Sequence, residues 1–113
     1  MNYSIVLDKS FAKEVKRLSK RYPSLKEDLT VLRTELLANP ALGTDLGGGL
    51  RKIRMKISSK GRGKRGGARV ITFTVVVALD LTEINLLYIY DKADRDTITK
   101  AELEELLRIN LHT

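Results

Sequence analysis

The spacing of apolar residues at the start of the chain predicts a short strand followed by a helix. The residues from Tyr3 to Leu7 alternate in the two-residue period of a strand. Apolar residues then recur at helical intervals, and either Asp8 or Ser10 can cap this helix. The step from Tyr22 to Pro23 ends it, because the residue before a proline avoids the α conformation.

A second helix is predicted directly after this step. Ser24 and Glu27 have the spacing of a capping box, which marks a helix start. The pair Asn39–Pro40 ends the helix, so residues 8–39 are expected to form a helical hairpin with a short connection. The apolar face of this second helix consists of Leu25, Leu29, Leu32 and Leu36.

Beyond a glycine-rich link at residues 43–49, the apolar period changes from helical to alternating. Ile53, Met55 and Ile57 fall on one face of the predicted strand, which therefore packs against the core. The opposite face is cationic and holds Lys52, Arg54 and Lys56. Residues 58–67 combine four glycines with four cations, which predicts a mobile loop without regular structure.

Two further strands and a terminal helix complete the predicted fold. The segment Val70–Leu79 is rich in β-branched residues, as in a central strand covered on both faces, and Ile84–Tyr90 returns as its neighbour. Thr99 and Glu102 form a second capping box. We therefore expect a single α+β domain over residues 1–113 in the order β-α-α-β-β-β-α. Its mainly antiparallel, twisted sheet is expected to pack on the helical hairpin and the C-terminal helix.

Composition narrows the chemistry that the chain can perform. It has no cysteine, which excludes disulfides, thiolate nucleophiles and thiolate metal sites. No apolar stretch reaches the ~18 residues needed to cross a bilayer, and the N-terminus does not have the pattern of a signal peptide. We therefore expect a soluble, cytoplasmic protein with no membrane partner.

The positive charge is concentrated in one part of the chain. Nine lysines and arginines and no acidic residue lie between Arg51 and Arg69, whereas the whole chain has a net charge of +7, so the remainder sums to −2. A cationic excess this localised, interleaved with glycine, is the electrostatic signature of a surface that binds phosphates.

Three blocks of sequence, in this order and spacing, resemble the RelE/HigB branch of bacterial toxin–antitoxin toxins. They are GLRKIR at residues 49–54, GKRGGARVI at residues 63–71 and LLYIYDK at residues 86–92. The resemblance implies a RelE-like fold and cleavage of mRNA, often on the ribosome, with ribosomal RNA as a further contact. It also implies neutralisation by a cognate antitoxin protein, and it implies no cofactor.

Metal-free RNA cleavage needs a base for the ribose 2′-OH, stabilisation of the phosphorane and an acid for the leaving 5′-oxygen. The only histidine, His112, lies at the terminus, so a lysine surrounded by other cations is the better candidate for the base. In RelE-like enzymes this strand commonly offers two lysines, and Arg54 occupies one of those positions. An arginine stays protonated and can only clamp phosphate, which favours Lys52 as the base, with Lys56 second. The alternative is a solvated cationic strand face that only aids solubility.

Three residues of the later blocks complete the candidate catalytic set. The resemblance aligns Arg69 with an arginine that holds the scissile phosphate, although its strand parity also allows a snorkelling role at the edge of the core. Tyr90 can stack a base and Lys92 can neutralise charge. Tyr88 shares their parity, and such a tyrosine pair serves packing as often as stacking.

Phosphate docking, including contacts with ribosomal RNA, is expected from the remaining cations of the basic segment. These are Arg51, Lys60, Arg62, Lys64 and Arg65. The glycine spacing of the loop matches neither a Walker loop nor a dinucleotide turn. Acidic residues cluster only on the last helix with no histidine beside them, so no metal site is expected.

Other functions remain compatible with these patterns. A protein of the same fold could poison DNA gyrase, as the related ParE toxins do, although the lysine-and-arginine face argues against this. A non-catalytic nucleic-acid-binding module is a second alternative, for which the aromatic content of 5% offers few stacking surfaces. A degenerate, inactive toxin kept as a regulator is a third.

Overall fold

The computed structural model describes residues 2–111 of the chain. These residues contain a five-stranded sheet and three α-helices. The strands are β1 (Asn2–Leu7), β2 (Thr44–Gly47), β3 (Leu50–Met55), β4 (Ala68–Ala78) and β5 (Leu81–Asp91), and the helices are α1 (Lys9–Arg21), α2 (Leu25–Ala38) and α3 (Lys100–Leu111). The strand order is β1-β5-β4-β3-β2, with β1 parallel to β5 and every other pair antiparallel. The predicted α+β architecture is confirmed. None of the helices in residues 2–111 is long and apolar enough to cross a membrane.

The predicted element order is wrong in one respect, because the glycine-rich link before β3 contains a further strand, β2. Thr44 pairs with Lys52, and Asp45 pairs with Arg51. Gly47, Gly48 and Gly49 all have positive φ angles, 88°, 61° and 89°, which let the chain reverse within a tight hairpin. The link is therefore a β-hairpin that adds an edge strand beside the cationic strand.

Apolar side chains cover both faces of the sheet. On one face, the helical hairpin packs over Ile53, Val70 and Ile89, which are at most 2% exposed. On the other face, α3 covers a smaller cluster that includes Ile71 and Leu103. This second cluster reaches only part of the sheet, so the neighbouring strand ends on that face are left for polar and charged side chains.

The prediction that Val70–Leu79 is covered on both faces holds only for the first half of the segment. Val70 and Ile71 are fully buried, whereas Val76 and Val77 are 65% and 48% exposed and Leu79 is 98% exposed. Pairing with β3 ends at Phe73. The β4–β5 ribbon thus extends beyond the helices that cover its base.

One of the two predicted capping boxes is confirmed. The Thr99 hydroxyl accepts from the Glu102 N–H at 3.1 Å, and the Glu102 carboxylate accepts from the Thr99 N–H at 3.0 Å. The Ser24 box is wrong, because the Ser24 hydroxyl donates to Asp28 at 2.7 Å instead of capping the helix. At α1, Asp8 occupies the N-cap position without a side-chain cap bond.

The N-terminus of α1 is capped from a distance. The Asn110 side chain, on α3, accepts a hydrogen bond from the Ser10 N–H at 3.0 Å and donates to its hydroxyl at 2.9 Å. A free helix N–H is thereby satisfied, and the two ends of the chain are joined.

Candidate functional site

Two arginines face each other at the centre of the candidate site. Arg54 on β3 and Arg69 on β4 are direct cross-strand partners, so their side chains leave the same face of the sheet. Lys52, two residues before Arg54, shares this face and is partly buried, whereas Arg54 is exposed. Like charges placed directly opposite each other destabilise a sheet. Their juxtaposition indicates a site for an anion.

Arg69 is a buried arginine, and the residue is only 6% exposed. Its two terminal nitrogens donate to three backbone carbonyls, those of Lys64 and Arg65 at 3.1 Å each and that of Ala68 at 3.2 Å. Burial, followed by the charge of Arg54, lowers its pKa, but an arginine keeps its proton in proteins. The structure therefore places a positive charge at the beginning of β4 and holds it with backbone carbonyls.

Tyr90 lies beside Arg69 on β5 but does not offer a free ring face. The residue is 2% exposed, and the Arg95 guanidinium carbon lies 5.4 Å from the centroid of its ring. The Tyr88 ring lies 6.3 Å away in a tilted arrangement. In this conformation the pair packs, so the predicted base stacking on Tyr90 would require Arg95 to move.

The hydroxyl of Tyr90 is the more reactive part of this side chain. It is buried and has no hydrogen-bond partner among the described residues. Burial raises its pKa, while the nearby charges of Arg69 and Arg95 oppose this shift. Tyr90, the cross-strand partner of Arg69, thus keeps a buried hydroxyl without a partner in the described part of the chain.

Lys92 follows the end of β5 and is held by one acidic residue. Its ammonium group donates to the Asp96 carboxylate and, at 2.8 Å, to the Asp96 carbonyl. The pKa of Asp96 is lowered by Lys92 first, and the charges of Arg69 and Lys52 contribute. Asp96 thus lies near three of the predicted cations, and the fourth, Arg54, is the cross-strand partner of Arg69. We call Lys52, Arg54, Arg69 and Lys92 the cationic face.

Sequence reasoning missed Arg95 and Asp96. The Nη2 atom of Arg95 donates to both carboxylate oxygens of Glu102, at 2.6 and 2.7 Å, and the guanidinium covers the ring of Tyr90. Both residues lie in the polar connection before α3, where the sequence offers no period that assigns a side chain to a face. Only the packing of α3 on the sheet brings this connection over the site.

The remaining predicted residues fall into separate places. Lys56 follows the end of β3 and lines a cavity of about 300 Å³ together with Asp28, Glu35 and Lys64, beside α2 and apart from Lys52. Arg51 lies on the helical-hairpin side of β3 and donates to the carbonyls of Ala41 and Gly43 at 3.0 and 3.3 Å. Neither residue is part of the cationic face.

The four cations of residues 58–67, which we call the basic loop, differ in their exposure to solvent. Arg62, Lys64 and Arg65 are exposed. Lys60 is not, because its ammonium lies 2.6 Å from the Asp91 carboxylate and its side chain is 12% exposed. Ser58–Lys60 form a 3₁₀ turn, although no regular structure was predicted there. Asp28 stabilises this turn by accepting hydrogen bonds from Ser58. The mobility of the loop stays a prediction.

The described residues do not group metal-ligating side chains into a candidate metal site. Within residues 2–111, no three histidine, aspartate or glutamate side chains are grouped so that they could hold a metal ion. His112, the one histidine, lies outside the described residues.

The fold and the cationic face together define a small basic protein with a cationic sheet surface. Residues 5–113 match the family model described as the RelE toxin of the RelE/RelB toxin–antitoxin system. Because the match covers almost the whole chain, the protein belongs to the RelE toxin family. It is therefore a toxin of a toxin–antitoxin system, and its family partner is an antitoxin. The finer assignment to the HigB branch stays a prediction.

Proposed function

We propose that this toxin is a metal-independent endoribonuclease that cleaves mRNA on the ribosome and so inhibits translation. The observation that carries the proposal is the cross-strand pair of Arg54 and Arg69 within the cationic face. An anion between these two guanidinium groups relieves their repulsion and receives bidentate hydrogen bonds. A phosphodiester fits this requirement, and the family of the chain supports RNA as its source.

The reaction is a transesterification at phosphorus. The ribose 2′-oxygen bonds to the adjacent phosphorus atom, and its proton passes to a base. The bond from phosphorus to the 5′-oxygen breaks, an acid protonates that oxygen, and a 2′,3′-cyclic phosphate remains. The additional negative charge on the phosphorane is the charge that a preorganised site must stabilise.

Each member of the cationic face has a role in this reaction. Arg69, fixed by carbonyls, stabilises the phosphorane, because its Nε and one further hydrogen of Nη2 are not used by the three carbonyls. Arg54, which is exposed, orients the phosphate. Lys52 accepts the 2′ proton, and Lys92 or the Tyr90 hydroxyl supplies the proton to the leaving 5′-oxygen.

Primer extension on mRNA, translated with and without the protein, tests the proposal. The expected result is a set of new 5′ ends within translated codons that depends on active protein. A second arm with the same mRNA and no ribosomes separates cleavage that needs the ribosome from cleavage that does not. Full-length mRNA in both arms, together with inhibited translation, would contradict the nuclease proposal.

A further inference from the structure

Asp91, the last residue of β5, is a buried carboxylate that the proposed reaction does not use. It is fully buried and accepts hydrogen bonds from Tyr22 at 2.5 Å, Lys60 at 2.6 Å, Arg21 at 2.9 Å and the Ala93 N–H at 3.0 Å. Burial opposes ionisation, but these donors hold the pKa of Asp91 well below its usual range. This side chain thus joins α1, the basic loop and the end of β5 at one point.

A second buried carboxylate holds the beginning of the basic loop. Asp28 on α2 accepts from the Ser58 N–H at 3.0 Å and from the Ser58 hydroxyl at 2.6 Å. The Ser24 hydroxyl bridges from the same carboxylate to the Ser59 N–H at 2.8 Å. The first two residues of the loop are therefore fixed to the helical hairpin.

The end of the basic loop is fixed by the sheet. The Gly67 carbonyl accepts from the Lys92 N–H at 3.0 Å. A β-carbon at Gly67 would lie 2.1 Å from the Met55 carbonyl oxygen, so only glycine allows this approach of the two strands. Between these fixed ends, the carbonyls of Lys64 and Arg65 hold the guanidinium of Arg69.

We propose that Asp91, acting through Lys60, is a positioning residue that holds the basic loop in the conformation in which its carbonyls orient Arg69. The Lys60 ammonium is neutralised by Asp91 and nearly enclosed, so it contributes placement of the loop and little attraction for phosphate. The carbonyls that fix Arg69 lie four and five residues beyond this tether. Loss of the tether should loosen the contacts of the guanidinium with the Lys64 and Arg65 carbonyls, whereas the Ala68 carbonyl lies outside the loop.

The test compares lysine-to-methionine variants that remove the same charge from different places. Lys60→Met removes the tether, and Lys64→Met removes an exposed loop cation whose nearest carboxylate, Glu35, lies 3.6 Å away. Lys13→Met is the matched control, because Lys13 is exposed on α1 and lies outside the site. The first measurement is the rate at which phenylglyoxal modifies Arg69, followed by mass spectrometry of the peptide that contains it.

We expect Lys60→Met to raise the labelling rate of Arg69 several-fold, and the other two variants to leave it at the wild-type value. Lys60→Arg should restore the wild-type rate, because it keeps a charged donor for Asp91. Ser58→Ala weakens the second tether without removing a buried charge and should shift the rate in the same direction. An unchanged labelling rate in a folded Lys60→Met protein would overturn the proposal, whatever the result for Ser58→Ala.

The effect of the tether on the cleavage rate rests on the proposed function, and it is measured in a separate experiment. In single-turnover cleavage, Lys60→Met should lower the maximal rate on the order of tenfold or more, since displacing a transition-state donor by about 1 Å has large effects. The salt dependence of RNA binding should stay as in the wild type. If the wild-type protein does not cleave RNA, the proposed function fails, whereas the labelling experiment still decides whether Lys60 and Asp91 position Arg69.

Discussion

Arg54 and Arg69 lie directly opposite each other on neighbouring antiparallel strands. One of the two guanidinium groups is exposed and the other is enclosed by carbonyls, so only Arg54 can move away from the repulsion. The lowered pKa of Arg69, caused by burial and then by Arg54, records the same conflict. Such an arrangement lowers the stability of the free protein, and an anion between the two groups would relieve the repulsion.

We therefore expect Arg54→Thr to stabilise the free protein while weakening RNA binding. Removing a like-charge cross-strand pair should raise the free energy of unfolding by roughly 0.2–1 kcal/mol, and threonine suits a strand. Urea denaturation measures the first effect and RNA titration the second. A loss of stability on this substitution would mean that Arg54 makes stabilising contacts that outweigh its repulsion with Arg69.

The three exposed cations of the basic loop should set much of the salt dependence of RNA binding. Replacing Arg62, Lys64 and Arg65 together by alanine should flatten the plot of log affinity against log salt by about two units, because each single-strand phosphate that is no longer neutralised lowers the slope by roughly 0.7. Adding Lys60→Ala should change this slope little, since Asp91 already neutralises Lys60. A slope equal to the wild-type value in the triple variant would place the loop outside the RNA interface.

The strand and helix order could be predicted from the sequence because each element carries its own period. Ile53, Met55 and Ile57 alternate and are all buried, as predicted. Strand β2 could not be predicted in this way, because Thr44–Gly47 is exposed throughout and has no apolar face. It exists because β3 offers it a free edge, which is information held by another part of the chain. The prediction of a capping box at Ser24 was wrong for a local reason, because the Ser24 hydroxyl donates to Asp28 instead.

The residues of the cationic face could be predicted from the sequence, but the residues that surround them could not. Lys52, Arg54 and Arg69 share a face through strand parity and register, both of which follow from sequence patterns. The placement of Arg95 over Tyr90 depends on how α3 packs, and the engagement of Lys60 by Asp91 joins residues 31 positions apart. Contacts between distant segments of this kind leave no periodic signal.

Asp8 should make the stability of the protein depend on pH near neutrality. Its carboxylate is buried at the start of α1, with one oxygen that has no hydrogen-bond partner in the described part of the chain. Burial, and then the charge of Glu83, raises its pKa from 3.8 to about 6. Because the folded-state pKa is above the unfolded one, the neutral acid favours folding below about pH 4, and this contribution is lost as the pH rises through 6.

Asp8→Asn tests this pH dependence with a side chain of the same shape that still suits an N-cap. At pH 4 the variant and the wild type should have nearly equal free energies of unfolding. At pH 7 the variant should be more stable by an amount that is at most about 3 kcal/mol, the equivalent of the pKa shift. The effect of Asp91, whose pKa is lowered, occurs in both proteins and cancels. A variant less stable than the wild type at pH 7 would mean that the Asp8 carboxylate has a stabilising partner.

Three substitutions on the cationic face should fail in different ways if the proposed division of roles is right. Arg69→Ala should reduce single-turnover cleavage on the order of a hundredfold, the usual loss for one preorganised donor to a transition state. Arg54→Lys should be tolerated better than Arg54→Ala, because charge is kept while the fork is lost. Lys52→Arg should be nearly as damaging as Lys52→Ala, because arginine preserves the charge but cannot accept the 2′ proton. If Lys52→Arg retains close to the wild-type rate, Lys52 contributes electrostatics alone, and the base is then to be sought at Lys92, at Lys56 or on the ribosome.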